Sequence, residues 1–301
     1  MKAIISQKSG SPDVLEYREV EIPIPKDREL IIKIHASTVT RGDVVLRKMP
    51  RIILAPLGLL FGFKAKNIPG TEFSGEVEQT GSNVSRFRAG DHVVGTTTGL
   101  KHGGNAEYVC IPEKWKQGVV ERKPPSLSFE EAAAMPVGSM TALYLLKKAG
   151  IENGQKVLVY GASGSVGTFA VQIAKFFGTE VTGVCSTKNT ELVRSLGADF
   201  IIDYIKDDFT AGSVSYDLIF DAVGKISKST VSNILAANGS FISVKSPTHE
   251  DTEALSFLLD LAEKGILKPV IDKTYPLEQT AEAHRYVEGG HKKGNVAILV
   301  S

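Results

Sequence analysis

Apolar runs and helical patterns alternate along the second half of the chain. Short β-rich runs bounded by polar residues recur at regular intervals, at residues 157–160, 181–185, 200–204, 218–223 and 241–244. Between them, apolar residues spaced by three and four positions predict helices over 166–177, 188–196 and 229–236. Strands that alternate with helices are typical of a parallel, doubly wound α/β sheet, whose ligand site lies at the carboxyl ends of the strands.

A glycine-rich loop joins the first of these strands to its helix. The loop reads Gly161-Ala162-Ser163-Gly164-Ser165-Val166-Gly167, and Gly178 stands where a left-handed C-cap would end the helix. In such a unit the glycines let backbone N–H groups approach a pyrophosphate at the helix N-terminus. The loop therefore predicts a dinucleotide site, although a purely structural turn between strand and helix remains the alternative.

The end of the second strand indicates which dinucleotide is expected. An NAD-binding unit usually carries an Asp or Glu there for the ribose 2′-hydroxyl, whereas this chain has Ser186, Thr187 and Lys188. Two hydroxyls and an ammonium can donate hydrogen bonds to a 2′-phosphate, so the cofactor is predicted to be NADPH. Ser186 and Thr187 could instead cap the following helix, and both roles could hold at once.

The first half of the chain has a different sequence pattern, without the alternation of strands and helices. Short β segments separated by turn signals predict a small barrel-like β domain, with strands at residues 3–7, 30–36, 75–80, 92–95 and 106–111. Near residue 125 the pattern changes, because Ser128 and the two glutamates after Phe129 form a helix-start signal. After residue 244, helices are predicted at 254–264 and 277–288 and a strand at 296–300.

Composition narrows the class of protein. The 301 residues suit two domains, and 42% hydrophobic with 23% charged residues is ordinary for a globular protein. A net charge of +1 gives no indication of the excess positive charge that binding to nucleic acid or to an anionic membrane requires. Two distant cysteines fit a reducing compartment, and no targeting segment is evident, so a cytoplasmic location is expected.

With these residues in view, the chain resembles the medium-chain dehydrogenase/reductase superfamily, in its zinc-independent quinone oxidoreductase (zeta-crystallin-like) branch. The motifs that carry the resemblance span nearly the whole chain: 68–75 (IPGTEFSG), 87–93 (FRAGDHV), 104–109 (GNAEYV), 134–136 (AMP), the glycine loop, 196–199 (LGAD) and 293–296 (KGNV). The resemblance implies a GroES-like β-barrel domain over 1–125 and 270–301, with an NADPH-binding Rossmann-type domain over 126–269.

The resemblance also implies a chemistry without metal. Where zinc-dependent relatives hold a catalytic zinc with Cys, His and Cys, this chain has Thr40, Thr71 and Val137, none of which is a usual zinc ligand. The expected activity is hydride transfer from NADPH to a small-molecule quinone or α,β-unsaturated carbonyl. The alternative is a non-catalytic NADPH-binding protein that senses redox state or supports a partner.

Site residues follow from the same resemblance. The nicotinamide and ribose would contact Thr141 and the strand end at Val223, the pyrophosphate would lie on residues 163–167, and the 2′-phosphate would contact Ser186, Lys188 and Tyr204. The full predicted cofactor set is Thr141, Gly161, Ser163, Gly164, Ser165, Val166, Gly167, Ser186, Lys188, Tyr204 and Val223. Many relatives have an Asn and a Tyr in the substrate cleft where this chain has Thr40 and Val45; only Thr40 could donate a hydrogen bond there, which makes it the candidate catalytic residue.

Several features allow two interpretations. Asp43 could relay a proton or start a helix, and His35 could be packed or catalytic, the first being favoured by its place in a strand. The apolar run 52–63, too short to span a bilayer, could be a lip over the acceptor or ordinary packing. Only residues 245–251 precede the next helix, where family members usually have a longer segment that helps build a dimer, so a monomer or an atypical homodimer is expected.

Overall fold

Contacts divide the chain into two units. The computed structural model describes residues 1–50 and 67–300. Unit 1 comprises Met1–Val137, Glu250–Leu259 and Ile271–Ser301, and unit 2 comprises Gly138–His249 and Asp260–Val270. The domain limits expected from the sequence differ from these divisions and stay a prediction. The apolar run 52–63 lies outside the described residues.

Unit 1 is built on antiparallel strands. Within the described residues its strands are β1 (Lys2–Ser6), β2 (Leu15–Glu19), β3 (Glu29–Thr38), β4 (Glu72–Thr80), β5 (His92–Thr96), β6 (Tyr108–Pro112), β7 (Val120–Arg122), and later β13 (Ile271–Pro276) and β14 (Asn295–Leu299). β1 and β2 form a two-stranded ribbon, and the other seven strands form one sheet in the order β13-β14-β3-β4-β5-β7, with β6 paired to β3. The C-terminal stretch therefore completes the sheet that the N-terminal part begins.

The long strand β3 lies at the centre of this sheet. Leu30, Ile32 and Ile34 on this strand are at most 1% exposed and belong to the main apolar cluster of the unit. The ladder between β3 and β4 shifts register between Ile34 and Ala36, where a Cβ on Gly75 would lie 2.1 Å from the Lys33 carbonyl oxygen. Glycine is required at this close approach of two backbones.

Among the described residues, three α-helices belong wholly to unit 1: α1 (Arg41–Lys48), α2 (Phe129–Ala133) and α7 (Thr280–Glu288). The first two begin in capping boxes, in which the N-cap hydroxyl accepts from the N3 backbone and the N3 carboxylate accepts from the N-cap N–H. Ser128 is the N-cap of α2, as predicted, and Thr40 is the N-cap of α1. The α1 helix has eight residues, and the sequence indicated its start only through the helix-start interpretation of Asp43.

Unit 2 contains a five-stranded parallel sheet. Its strands are β8 (Lys156–Tyr160), β9 (Glu180–Cys185), β10 (Phe200–Asp203), β11 (Tyr216–Asp221) and β12 (Leu235–Ser243). They lie in the order β10-β9-β8-β11-β12, and every neighbouring pair is parallel. The order reverses direction between β8 and β11, which is the switch point where doubly wound sheets bind ligands. The predicted α/β class and the positions of its strands are confirmed.

Four further helices complete the described fold. They are α3 (Pro136–Lys148), α4 (Ser165–Phe176), α5 (Thr190–Ser195) and α6 (Thr252–Glu263). The division between the units falls inside α3 and inside α6. α4 ends before Gly178, whose φ of +77° is the left-handed conformation that the sequence predicted.

The helix predicted over 229–236 is wrong. These residues form turns up to Ile234, and β12 begins at Leu235. Hydroxyls explain the difference, because the Ser227 side chain bonds with Ser229 and Thr230 at 2.8 Å each. Such local side-chain bonds compete with a helix for the backbone, and the apolar positions here pack as a turn instead.

Candidate functional site

The glycine loop of unit 2 is shaped by two close contacts. Gly161 has a φ of +78°, and the N–H groups of Gly161 and Ala162 both donate to the Val184 carbonyl at 3.0 Å, which ties the loop to β9. A Cβ on Gly167 would lie 2.1 Å from the Gly161 carbonyl oxygen, so the first turn of α4 rests directly on the loop. The loop thus presents the start of a twelve-residue helix at the carboxyl end of β8.

The N-terminus of α4 has no side-chain cap. Gly164 is the N-cap residue, and it offers no oxygen to the first-turn N–H groups. Ser163, Gly164, Ser165 and Val166 all lie partly exposed around this helix start. A helix N-terminus without a side-chain cap, together with the helix dipole, makes this place suitable for a phosphate.

The other predicted contacts in this unit come from three elements. Thr141 lies on α3, one turn after Gly138. A Cβ added to Gly138 would lie 2.7 Å from Ser165 Oγ, so the start of α3 packs closely against the start of α4. Val223 follows β11 and is 45% exposed, and a Cβ on Gly161 would lie 2.2 Å from its Cγ2. The structure therefore brings Thr141 and Val223 to the same end of the sheet as the glycine loop.

A buried carboxylate that sequence reasoning missed shapes the loop after β11. Asp221 is fully buried, and its Oδ1 accepts from the N–H groups of Val223 at 3.0 Å and Gly224 at 2.9 Å. Its Oδ2 accepts from the Ser243 hydroxyl at 2.9 Å. Asp221 thus fixes the backbone of Val223, and its place as the last residue of β11 was the available signal.

At the end of β9 the hydroxyls do not cap the helix. Ser186 occupies an N-cap position, yet its side chain makes no capping bond. The Thr187 hydroxyl donates to Asp203 Oδ2 at 2.5 Å, and Lys188 is exposed. The capping alternative is therefore wrong for both side chains, which leaves Ser186 and Lys188 available to a ligand.

Asp203 places a carboxylate at this end of the sheet. It is the last residue of β10, pairs with Cys185 in the ladder, and precedes the half-exposed Tyr204. The Thr187 hydroxyl bond holds the pKa of Asp203 below its usual value, so the group is ionised at neutral pH. The sequence indicated no carboxylate here because Asp203 arrives from the neighbouring strand, and Lys206 Nζ lies 3.8 Å from it.

In unit 1, Thr40 and Thr71 meet at one carboxylate. The N–H and the hydroxyl of Thr40 donate to Asp43 Oδ2 at 2.8 and 2.6 Å, and the Thr71 hydroxyl donates to Oδ1 at 2.7 Å. The Asp43 N–H in turn donates to Thr40 Oγ1 at 3.0 Å. The helix-start role of Asp43 is confirmed, and in this arrangement the hydroxyl proton of Thr40 is directed at Asp43.

A second carboxylate in this unit is fully enclosed. Glu72 is 1% exposed; its side chain accepts from the Val137 N–H at 2.7 Å and from the Thr38 hydroxyl. Burial raises the pKa of Glu72 to about 7, with smaller contributions from the charges of Asp43 and Glu250, while the two hydrogen bonds act in the opposite direction.

Two histidines of unit 1 are packed. His35 stacks on Phe129 with ring centroids 4.3 Å apart, and burial lowers its pKa, which agrees with the packed interpretation. His284 is fully buried on α7, and within the described residues neither of its ring nitrogens has a hydrogen-bond partner. Burial lowers the pKa of His284 to about 4, so it stays neutral at physiological pH.

Comparison with known proteins shows which family has this architecture. The alcohol dehydrogenase GroES-like domain family matches residues 26–123, and two zinc-binding dehydrogenase families match residues 165–271 and 245–298. A quinone-oxidoreductase homolog of spinach (Spinacia oleracea), described as chloroplastic, is 32% identical over 96% of this chain and 95% of its own. The chain belongs to the medium-chain dehydrogenase/reductase superfamily, in its quinone oxidoreductase branch.

Two further relatives of this superfamily extend the comparison. The 2-methylene-furan-3-one reductase of tomato (Solanum lycopersicum) is 34% identical, over 99% of this chain and 79% of its own. The solved structure of the quinone oxidoreductase from Coxiella burnetii superposes with a TM-score of 0.84 at 27% identity, covering 100% of this chain and 99% of that one. Membership makes the chain an oxidoreductase that uses a pyridine nucleotide.

The zinc of the metal-dependent superfamily members does not fit this chain. At the positions of its ligands, the hydroxyls of Thr40 and Thr71 are engaged with Asp43, and Val137 has an apolar side chain. Across residues 1–50 and 67–300, no three His, Cys, Asp or Glu side chains are grouped so as to hold a metal ion. Thr40, Thr71 and Val137 therefore do not form a zinc site of the usual kind.

A dinucleotide, by contrast, fits unit 2. The uncapped helix start and the close-packed glycines suit a pyrophosphate, and Lys188 is exposed at the end of β9. These residues arrive at the carboxyl ends of β8 and β9, next to the switch point of the sheet.

Location and assembly remain expectations. None of the helices in the described part of the chain has the length and apolar character needed to cross a membrane. The spinach relative is named as a chloroplast protein, so the cytoplasmic location expected from the sequence stays a prediction. The monomeric or atypical dimeric state also stays a prediction.

The buried carboxyl of Glu72 predicts a pH-dependent stability. Its pKa is about 7 in the folded protein against its usual 4.5, so the folded state binds the extra proton between these values. The contribution of Glu72 to the free energy of unfolding is therefore greatest below pH 4.5. It is lost as the pH rises to about 7, and the total loss is about 3 kcal/mol. We expect Glu72→Gln to remove most of this decline between pH 5.5 and pH 8.

The measurement is urea unfolding followed by the fluorescence of Trp115, the single tryptophan of the chain, which lies in unit 1. Glu113→Gln is the matched control, because Glu113 accepts two backbone N–H bonds and its pKa is lowered. Glu113 is ionised in both the folded and the unfolded state above pH 4.5, so its contribution to the free energy of unfolding no longer changes with pH there. The control should therefore keep the wild-type dependence of the free energy of unfolding on pH. A Glu72→Gln protein with the wild-type slope contradicts the assignment.

Proposed function

We propose that this protein is a zinc-independent NADPH-dependent reductase that delivers hydride to quinones or to α,β-unsaturated carbonyl compounds. The observation that carries the proposal is the donor set at the end of β9, where Ser186 and Lys188 stand beside the glycine loop with no capping role. The names of two relatives support the acceptor class. One is a quinone-oxidoreductase homolog, and the other is named a 2-methylene-furan-3-one reductase.

Each part of the cofactor site has a proposed partner. The pyrophosphate lies along residues 163–167 at the N-terminus of α4, and Gly161 and Gly167 let it approach. The 2′-phosphate accepts from Ser186, Lys188 and Tyr204. Thr141 and the Val223 backbone, held by Asp221, orient the ring end of the cofactor.

When bound, the reduced nicotinamide supplies the hydride, and solvent supplies the proton that completes reduction of the acceptor. The acceptor is already electrophilic, so no metal is needed to polarise it. Thr40 is retained as the candidate polar contact to the acceptor. Because its hydroxyl proton points to Asp43, Thr40 can donate to the carbonyl oxygen of the acceptor only when that bond is exchanged.

The test is an acceptor panel measured with NADPH and with NADH. Purified protein is mixed with 1,4-benzoquinone, 9,10-phenanthrenequinone, a 2-alkenal and an alkenone, and the loss of reduced-nicotinamide absorbance is followed. We expect turnover with at least one class and a preference for NADPH of about tenfold or more in kcat/KM. Turnover of the alkenal alone would assign double-bond reduction as the activity.

The absence of turnover with every acceptor, together with clear thermal stabilisation by NADPH, would overturn the catalytic part of the proposal. That result would favour a non-catalytic NADPH-binding protein. Val45, which is 45% exposed on α1 where many relatives have a tyrosine, is the observation behind this second candidate. Activity gained by Val45→Tyr would then identify a substrate site that has lost a contact.

A further inference from the structure

One asparagine links the two phosphate-binding segments of unit 2. The amide nitrogen of Asn189 lies 2.9 Å from Ser163 Oγ in the glycine loop and 3.3 Å from Ser186 Oγ at the end of β9. Asn189 occupies the N-cap position of α5, but its side chain makes no capping bond there. The amide is therefore used between the two serines rather than for starting the helix.

The chemistry of the three groups fixes the direction of these bonds. An amide nitrogen can only donate, so both serine oxygens accept from Asn189. A hydroxyl that accepts in this way still has its own proton to donate, and neither Ser163 nor Ser186 donates to another group in the described chain. Both O–H groups are thus left for an acceptor that the protein itself does not supply.

Thr187 shows the opposite arrangement. Its hydroxyl proton is taken by Asp203 at 2.5 Å, so Thr187 is not a donor to a ligand. The hydroxyl of Ser186 keeps its proton for a ligand because Asn189 faces it with an N–H group rather than with an oxygen. The difference between adjacent hydroxyls follows from which group faces each of them.

We propose that Asn189 is a positioning residue that sets the nucleotide preference of the site, by holding Ser163 and Ser186 as donors to phosphate oxygens. This inference rests on the proposed function, in which Ser186 contacts the 2′-phosphate and Ser163 begins the pyrophosphate loop. Asn189 need not touch the nucleotide. The carbonyl oxygen of Asn189 is buried and has no partner in the described chain, so the amide is anchored through its nitrogen alone.

The experiment replaces the amide with isosteric groups that cannot donate. In Asn189→Leu the serines lose their common partner, and in Asn189→Asp a carboxylate accepts from both serines and turns their protons inward. Binding is measured by calorimetry with 2′-AMP and 5′-AMP as probes of the two phosphate positions, and with NADPH and NADH. Asn233→Leu is the matched control, since Asn233 is an exposed asparagine of the same unit whose amide donates to the Thr210 carbonyl.

For Asn189→Leu we expect a loss of about tenfold in affinity for 2′-AMP and NADPH, and a smaller loss of about threefold for 5′-AMP and NADH, because the N-terminus of α4 binds the pyrophosphate together with Ser163. Asn189→Asp is expected to lose about a hundredfold, because its charge also opposes the phosphate. The double variant Asn189→Leu with Ser186→Ala should bind 2′-AMP no more weakly than Ser186→Ala alone. The Asn233→Leu control keeps the wild-type ratios.

The outcomes separate the two proposals. If wild-type protein does not prefer NADPH over NADH, the NADPH assignment in the proposed function fails, and this inference fails with it. If wild type prefers NADPH and Asn189→Leu keeps that ratio, or weakens both nucleotides equally, only the role of Asn189 is overturned. Should Asn189→Leu not fold, Asn189→Ala carries the same comparison.

Discussion

Gly167→Ala is expected to weaken nucleotide binding strongly and to lower the melting temperature of the protein. The added Cβ would lie 2.1 Å from the Gly161 carbonyl oxygen and 2.9 Å from Ala162 Cα, and both are backbone atoms that cannot rotate away. Relief requires α4 to move off the loop, which costs about 2–4 kcal/mol and separates the helix N-terminus from the pyrophosphate. We expect NADPH affinity to fall about a hundredfold or more, measured by calorimetry, with a melting temperature lower by about 5 °C or more.

Gly164→Ala is the control for the fold. Its φ of −80° suits any residue, and its added Cβ would have only the Gly161 carbonyl oxygen nearby, at 3.6 Å. The melting temperature of this variant should stay within about 1 °C of wild type, whatever its effect on the nucleotide. A Gly167→Ala protein that keeps both the wild-type melting temperature and the wild-type NADPH affinity would refute the role given to this contact.

Ser186→Asp is expected to reverse the cofactor preference. A carboxylate at the end of β9 can accept from the ribose hydroxyls of NADH, and it repels the 2′-phosphate of NADPH. We expect kcat/KM for NADPH to fall about a hundredfold and that for NADH to stay equal or to rise. The loss with NADPH should shrink as salt is added, because the repulsion is between partly exposed charges.

Ser195→Asp provides the same change of charge elsewhere in unit 2. Ser195 is exposed at the end of α5, where its hydroxyl donates to the Leu192 carbonyl at 2.8 Å. This control should leave the ratio of NADPH to NADH rates within about twofold of wild type. If Ser186→Asp still prefers NADPH by the wild-type factor, the 2′-phosphate does not bind at the end of β9.

The parts of the site that the sequence predicted are those made within one short segment. The glycine loop, its strand and its helix are contiguous, so their spacing alone carries the geometry, and Gly178 ends the helix as expected. The capping box at Ser128 is equally local. These features depend on neighbours along the chain rather than on how strands pair.

The parts that were missed depend on pairing between strands. Asp203 reaches Thr187 because β10 lies beside β9, and nothing in the residues around Thr187 indicates it. Asn189 looks like an ordinary helix start, and its contact with Ser163 exists only once the loop is folded. The enclosure of Glu72, a glutamate inside a family motif, similarly comes from the strands and the Val137 N–H around it.

The order of strands in the larger sheet has a consequence for synthesis of the protein. β14 pairs with β3, so Ala297 meets Thr38 from the opposite end of the chain, whereas the last residue of unit 2 is Val270. A ribosome that makes the chain from its N-terminus therefore releases every strand of unit 2 before it has made β14, the last of the three strands that pair with β3. Until β14 has been made, only the end of β3 at residues 36–38 lacks its neighbour on that side, because β6 already pairs with residues 29–33, and this short exposed edge is the place where a nascent chain is open to aggregation.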